Sequence, residues 1–404
     1  MNILFLTIGR MESIEAHGIY PDLLREFKNQ GHKVYIVSAR ERRIGLKTEL
    51  IKQNNVSILY VRIGNITKCK LLEKGIATIL INYQYKSAIK KYFSNVKFDL
   101  ILYSTPPITL VDAVKYVKWR DEAITYLLLK DIFPQNAVDI KILKNTGIAS
   151  IIYKYFRIKE KQLYSLSDHI GCMSKANVEY ILKHNKEVHE NKVEVCPNCV
   201  EPIDMSVDNE TKRRIRKKYN IPLDKVVFVY GGNLGRPQGI PFLIECLNSQ
   251  KENKEVFFLI AGDGTEYKKL QEAIENEKFE NVKLMRRLPK KDYDQMVGSC
   301  DVGMIFLDHR FTIPNFPSRI LSYMQAKLPI IAVTDPNTDV GKIIVAGGFG
   351  WWCESNTTDA FSRKIEEACQ AERIKMGNMA WEYLNRFYTV ENEYRIIINN
   401  MKGY

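Results

Sequence analysis

Short apolar strands alternate with helical stretches along almost the whole chain, and the alternation stops once, near Glu201 to Asn209, before it starts again. Asn2 to Ile8 reads as a continuous apolar strand, Ile19 to Gln30 as a helix and Lys33 to Ser38 as a second strand. The pattern resumes at Ser57 to Ile63, Leu100 to Ser104 and Ile124 to Leu129. Such a series builds βαβ units around a parallel sheet. Two prolines, Pro197 and Pro202, and a polar stretch to Asn209 precede the charged helix Glu210 to Tyr219. A second series then follows, with strands at Val226 to Tyr230, Val256 to Ala261, Val282 to Met285, Val302 to Phe306 and Ile330 to Val333. A chain of 404 residues with 45% hydrophobic content has the material for two cores. The expected fold class is therefore α/β, with two Rossmann-like parallel-sheet domains, residues 1–203 and 204–385, facing a cleft.

Charge and composition narrow the function classes. The net charge of +13 favours an anionic partner, whether nucleic acid, nucleotide or membrane surface. Nucleic acid is disfavoured, because no zinc-finger spacing, RNP-type motif or recognition helix accompanies the charge. No apolar run approaches the roughly 20 residues that span a bilayer, and Met1 to Phe5 leads straight into a strand, so the expected location is cytoplasmic. Of the eight cysteines only Cys196 and Cys199 form a CxxC, without a second pair at zinc-ligand spacing. Reduced thiols and no metal centre are expected. Basic and aromatic residues interleave at helical spacing between Ile76 and Phe93, with Lys86, Lys90, Lys91 and Tyr92. They do so again between Ile148 and Tyr164, with Tyr153, Lys154, Tyr155, Phe156, Arg157, Lys159 and Lys161. These faces suit an anionic membrane surface, and they equally suit solvated faces of core helices.

Ligands of open parallel sheets bind beyond the carboxyl ends of the strands. In the first half this points to Gly9 to Gly18, Thr105 to Ile108 and Asp131 to Asn136, with His17 and Gly18 before the first helix. In the second half, Gly231 to Gly235 and Gly262 to Gly264 follow strands and read as phosphate or nucleotide loops, and no Walker-type lysine follows either. The stretch Ile313 to Val333 reads as loop, helix and buried strand. Ser318 is placed to cap that helix, with Arg319 beside it to hold an anion such as a diphosphate; an ordinary surface helix would carry the same residues.

With these residues in view the chain resembles the family-4 retaining glycosyltransferases of the GT-B fold, especially bacterial enzymes of surface polysaccharide synthesis. Gly31-His32-Lys33-Val34 is like the family's GHxV, Ser104-Thr105-Pro106-Pro107 like its loop, and Asp131-Ile132-Phe133-Pro134 is similar to Asp-x-Trp-Pro. Ser174, Pro197-Asn198, Gly231 to Gly239 and Ala261 to Gly264 extend the resemblance. Residues 386–404 are similar to the family's helix that returns to the first domain. Two family glutamates fall on Pro314 and Ser322, and a basic pair falls on Asn233 and Gln238, so positive charge has to come from Arg236, Arg287 or Arg319. Arg319 occupies the lysine position of a Pro-Ser-Lys motif.

The resemblance implies transfer of a sugar from a nucleotide-sugar, a UDP-sugar, to a lipid-linked saccharide at the inner membrane face. Neither metal nor cofactor takes part. Asp131 and Arg319 are the implied catalytic residues. Gly232, Asn233, Arg236, Gln238, Gly262, Asp263, Arg287, Ser318 and Ser322 would line the donor site, and His17, Gly18, Thr105, Pro106 and Phe133 the acceptor side. A sugar-nucleotide-binding subunit without catalysis, and an epimerase of the same fold, are the alternatives. For the epimerase, His17, His309 and Asp131 are too scattered to make an acid–base cluster.

Overall fold

The computed structural model describes residues 1–67, 69–147 and 150–401. The chain folds as two units, Met1–Glu201 completed by the segment from Val390 onward, and Pro202–Thr389 between them. The sequence reading placed these boundaries at 203/204 and 385/386. Its second basic helix begins at Ile148, outside the described residues, and the helix runs over Ser150–Leu166.

The first unit is built on β1 (Asn2–Thr7), β2 (Lys33–Glu41), β3 (Glu49–Gln53), β4 (Val56–Ile63), β5 (Leu100–Ser104), β6 (Ile124–Leu129), β7 (His169–Cys172) and β8 (Val193–Val195). They form one sheet in the order β3-β4-β2-β1-β5-β6-β7-β8. Among the described residues only the β3–β4 pair is antiparallel. Helices cover both faces of a parallel sheet, which is why its strands read as unbroken apolar runs; Ile3 to Leu6 and Leu100 to Leu102 are fully buried. Because β1, β5 and β6 are neighbours, the loops carrying Gly9 to Gly18, Thr105 and Asp131 leave adjacent strand ends.

Helix Val390–Asn399 closes this unit against helix Ile19–Asn29. Tyr394 stacks edge-on against Phe27 at 5.0 Å, and its hydroxyl meets His32 Nε2 at 3.0 Å. From the same helix Glu393, fully buried, reaches Lys130 Nζ at 3.3 Å just past the end of β6.

The second unit contains β9 (Val226–Asn233), β10 (Val256–Asp263), β11 (Val282–Met285), β12 (Val302–Phe306), β13 (Ile330–Thr334) and β14 (Gly350–Glu354). The order is β11-β10-β9-β12-β13-β14, so the winding reverses between β9 and β12. Phe228, Phe258, Phe306 and Phe361 pack at the centre of its core. The register corrects one expectation. β9 and β10 pair through Gly231↔Ala261, Gly232↔Gly262 and Asn233↔Asp263, so these glycines end strands rather than form loops. A Cβ on Gly262 would lie 1.9 Å from the Gly232 carbonyl oxygen, so this close pairing requires glycine there.

The buried Lys130–Glu393 pair yields a stability prediction. Glu393→Leu strands an ammonium in the core and should cost the first unit about 3–5 kcal/mol in denaturant unfolding. Adding Lys130→Met to that variant should restore most of the loss.

Candidate functional site

The reversal between β9 and β12 opens a crevice, the usual ligand position in such sheets. Pairing between the two strands ends at Gly303↔Val229, while β9 runs on. The short helix Arg319–Gln325 fills the split with Tyr323. Its hydroxyl donates toward the carbonyls of Met304 (3.0 Å) and Val229 (3.2 Å) and accepts the N–H of Gly231 (3.1 Å). The phenol thus replaces a missing ladder, and Gly303 makes room for its ring, since a Cβ there would lie 2.4 Å from it.

Arg319 stands four residues earlier, on the same helix face. Its guanidinium lies 4.3 Å over the Tyr230 ring, and a Cβ on Gly232 would come within 3.1 Å of its Nη2. The Tyr230 hydroxyl is anchored on the Asn233 carbonyl at 2.8 Å. The Tyr293 hydroxyl covers Gly231 so closely that a Cβ would meet it at 1.7 Å. No carboxylate pairs with Arg319 among the described residues, and its buried Nη1 has no acceptor. The guanidinium therefore stands stacked on Tyr230 beside the Gly232 backbone with Nη1 unpaired.

Ser318 does not cap this helix. It is itself in the αR conformation and makes no side-chain capping bond, so the chain turns into the helix through Pro317 and Ser318 carbonyls instead. With seven residues and no cap, the helix contributes its arginine rather than its amide end. Ser322 is half-buried on the same helix.

Asn233 and Gln238, where a basic pair was sought, bind each other at 2.9 Å, and Gln238 also accepts the Gly235 N–H at 3.1 Å. They shape the turn after β9. Arg236 follows in that turn, half exposed, 3.8 Å from Glu266. Arg287 is exposed, while its neighbour Arg286 stacks on Tyr267 at 3.5 Å and bonds Asp263 at 3.0 Å. The sequence reading named Arg287 and passed over Arg286, whose contacts exist only in the folded sheet. Asp335, at the end of β13, also escaped notice. It takes the N–H groups of Asn337 (2.9 Å) and Thr338 (3.1 Å), and Asn337 in turn holds the Phe311 carbonyl at 2.6 Å. Burial pushes its carboxyl up to about 6. Its turn therefore steadies the segment that includes Pro314.

In the first unit Asp131 follows β6. Thr105, buried at the end of β5, donates to the Asp131 carbonyl at 3.1 Å and accepts the N–H groups of Lys130 (3.2 Å) and Asp131 (3.3 Å). Both carboxylate oxygens accept from Asn136 Nδ2, at 2.7 and 2.8 Å. Burial nevertheless pushes the carboxyl up to about 6, against the hydrogen bonds from Asn136 and the Ile132 amide. Phe133 packs on Phe156 at 5.0 Å, and Pro106 is exposed.

His17 is half exposed, 3.8 Å from Asp22 and 3.7 Å from Glu201. Arg25 already bridges those two carboxylates at 2.7 and 2.6 Å, and the Gly18 N–H takes Asp22 at 3.0 Å. The charge that a cation would supply there comes from the chain itself. Cys196 and Cys199 are fully buried, and burial pushes the Cys196 thiol up to about 12.

Residues 211–383 match the family described as glycosyl transferases group 1. Among curated relatives, "Probable glycosyltransferase WbjE" of Pseudomonas aeruginosa is 26% identical over 324 residues, 80% of this chain and 78% of the relative. WcaI of Escherichia coli (strain K12), named for colanic acid biosynthesis, is 22% identical over 193 residues, 47% of this chain and 46% of that one. Among solved structures, Anabaena HepE in complex with UDP shares the fold with a TM-score of 0.71 at 14% identity, over 100% of both chains.

The raised Asp131 carboxyl has a measurable signature. Below pH about 4 it is protonated in both folded and unfolded chains; as pH rises to about 6 the unfolded chain ionises first, and the stability held by the protonated group is lost. Asp131→Asn should therefore gain on wild type in urea unfolding between pH about 4 and about 6, with a constant difference above that window.

Proposed function

Because the chain is a glycosyltransferase with a group 1 domain and the GT-B fold, we propose that it moves a sugar from a UDP-sugar to a lipid-linked saccharide in surface polysaccharide synthesis. It would do so at the inner face of the membrane, with retention and without a metal. The observation that carries this reading is Arg319, whose enclosed Nη1 lacks an acceptor beside Gly232. A diphosphate placed there takes charge-assisted bonds from the guanidinium and meets the open backbone of Gly232, and the same contacts stabilise it as it departs with the bonding electrons. Asp131 orients the acceptor hydroxyl and takes its proton. The polysaccharide setting follows the name of WcaI, and the choice of UDP follows the HepE complex.

Pro314 and Ser322, standing where the family carries glutamates, favour a second reading: a chain that binds the nucleotide-sugar without turning it over. Donor turnover with a membrane-lipid extract separates the two. Release of UDP that depends on the extract supports transfer, and binding without release supports the silent subunit.

Two variants divide the labour. Arg319→Ala should weaken UDP binding by about 1.5–3 kcal/mol in calorimetry, the range for a bond to a charged group. Asp131→Asn should keep UDP binding and lose roughly 10²-fold or more in turnover. Unchanged donor kinetics for the first, or near-normal turnover for the second, would remove that residue from the mechanism.

A further inference from the structure

Around the loops that carry Thr105 and Asp131 the first unit leaves apolar side chains in water. Helix Leu71–Tyr92 presents Ile76, Ile79, Leu80 and Tyr83 at 54, 49, 47 and 71% exposure. Their spacing puts them on one helix face. Helix Ser150–Leu166 presents Ile151, Ile152 and Ile158 at 65, 54 and 55%. Scattered single apolar residues are ordinary on a surface, but three or four on each of two helices that pack on the same third helix are not.

Both helices are fastened to those loops. Thr109 Oγ1 donates to the Thr78 carbonyl at 3.1 Å, and Phe156 and Tyr153 touch Phe133 (5.0 Å) and Gln135 (3.5 Å). Helix Val111–Asp121 packs against each of them, and Asn82 engages the Asp112 carboxylate and the Ala113 N–H at its start. The apolar residues therefore flank the segments proposed to receive the acceptor.

Charge frames the same face. Lys86 and Lys90 lie over Tyr116, and Lys91 over Tyr92, while Lys154 and Lys159 extend the second helix. None of the five has a carboxylate partner among the described residues. The basic set read from the sequence loses two members: Arg157 is bound to buried Glu160 and to Asn185, and Lys161 to Glu187. Helix Leu71–Tyr92 has 22 residues, yet no helix among the described residues is long and apolar enough to cross a membrane. Exposed apolar side chains framed by lysines suit a surface that rests on a bilayer rather than one that spans it.

We propose that this face docks on an anionic lipid bilayer, the isoleucines, Leu80 and Tyr83 entering the headgroup region and the lysines meeting lipid phosphates. The loops with Thr105 and Asp131 then sit at the lipid surface. A second copy of the chain is the poorer occupant, because it would bring two like-charged lysine frames together on a protein of net charge +13. The purpose of the docking rests on the lipid-linked acceptor proposed above; the docking itself does not.

The test is sedimentation of the whole chain with phosphatidylcholine vesicles, with and without phosphatidylglycerol, at low and high salt. Wild type should bind the anionic vesicles and keep a salt-resistant bound fraction. The variant Ile79→Ser, Tyr83→Ser, Ile151→Ser, Ile158→Ser should lose about tenfold in partition while UDP affinity stays unchanged. Should that variant unfold, Tyr83→Asp alone reads out the same loss. Wild-type partition in the variants, or wild-type binding that high salt abolishes, overturns apolar docking. So does a change of oligomeric state in the variant without lipid, which would assign the face to a second copy. Vesicle binding without UDP binding would instead sink the donor reading and leave this one standing.

Discussion

The Tyr323 hydroxyl holds the end of the second sheet together where backbone pairing stops. The β9–β12 ladder stops at Gly303↔Val229, which would leave backbone groups beyond it unpaired, and buried unpaired groups are costly. One phenol answers three of them, on Val229, Met304 and Gly231. The rest of the site follows: Gly303 is small so that the ring can enter, and Arg319 is delivered to the crevice one turn earlier.

The surroundings of Arg319 differ in kind from those of the other arginines. Arg216 is paired with Asp301, Arg310 with Asp308, Arg25 with Asp22 and Arg286 with Asp263. A carboxylate offsets the charge of its partner, whereas the face of Tyr230 supports the cation without neutralising it. That is the electrostatic difference between an arginine paired with a carboxylate and one resting on a ring.

How much of this was legible beforehand depends on the range of the interaction. The strand and helix alternation is local, and both sheets follow it closely. Arg319 was singled out from its neighbours Pro317 and Ser318, but the capped helix end assigned to it was wrong: Ser318 adopts helical angles, and the tyrosine beneath the guanidinium comes from a distant strand. Tyr230, Tyr293 and Arg286 gave no signal because their roles exist only once β9, β10 and the helices around them are assembled. Asn233 and Gln238 were candidates by position, but each is the other's partner. In the first unit Thr105 and Asp131 were identified from adjacent motifs, while the Lys130–Glu393 pair spans too much sequence to be read.

That pair also sets an order of events during synthesis. The second unit is one uninterrupted segment and draws on nothing beyond Thr389. The first unit, although nearly all of it is made earlier, must wait for the helix at Val390 before Lys130 finds its counter-charge and the Ile19–Asn29 helix its cover. The portion made first is thus the one that cannot be completed without residues made after the second unit. A chain cut after Thr389 would keep the second unit whole and leave Lys130 of the first without its counter-charge.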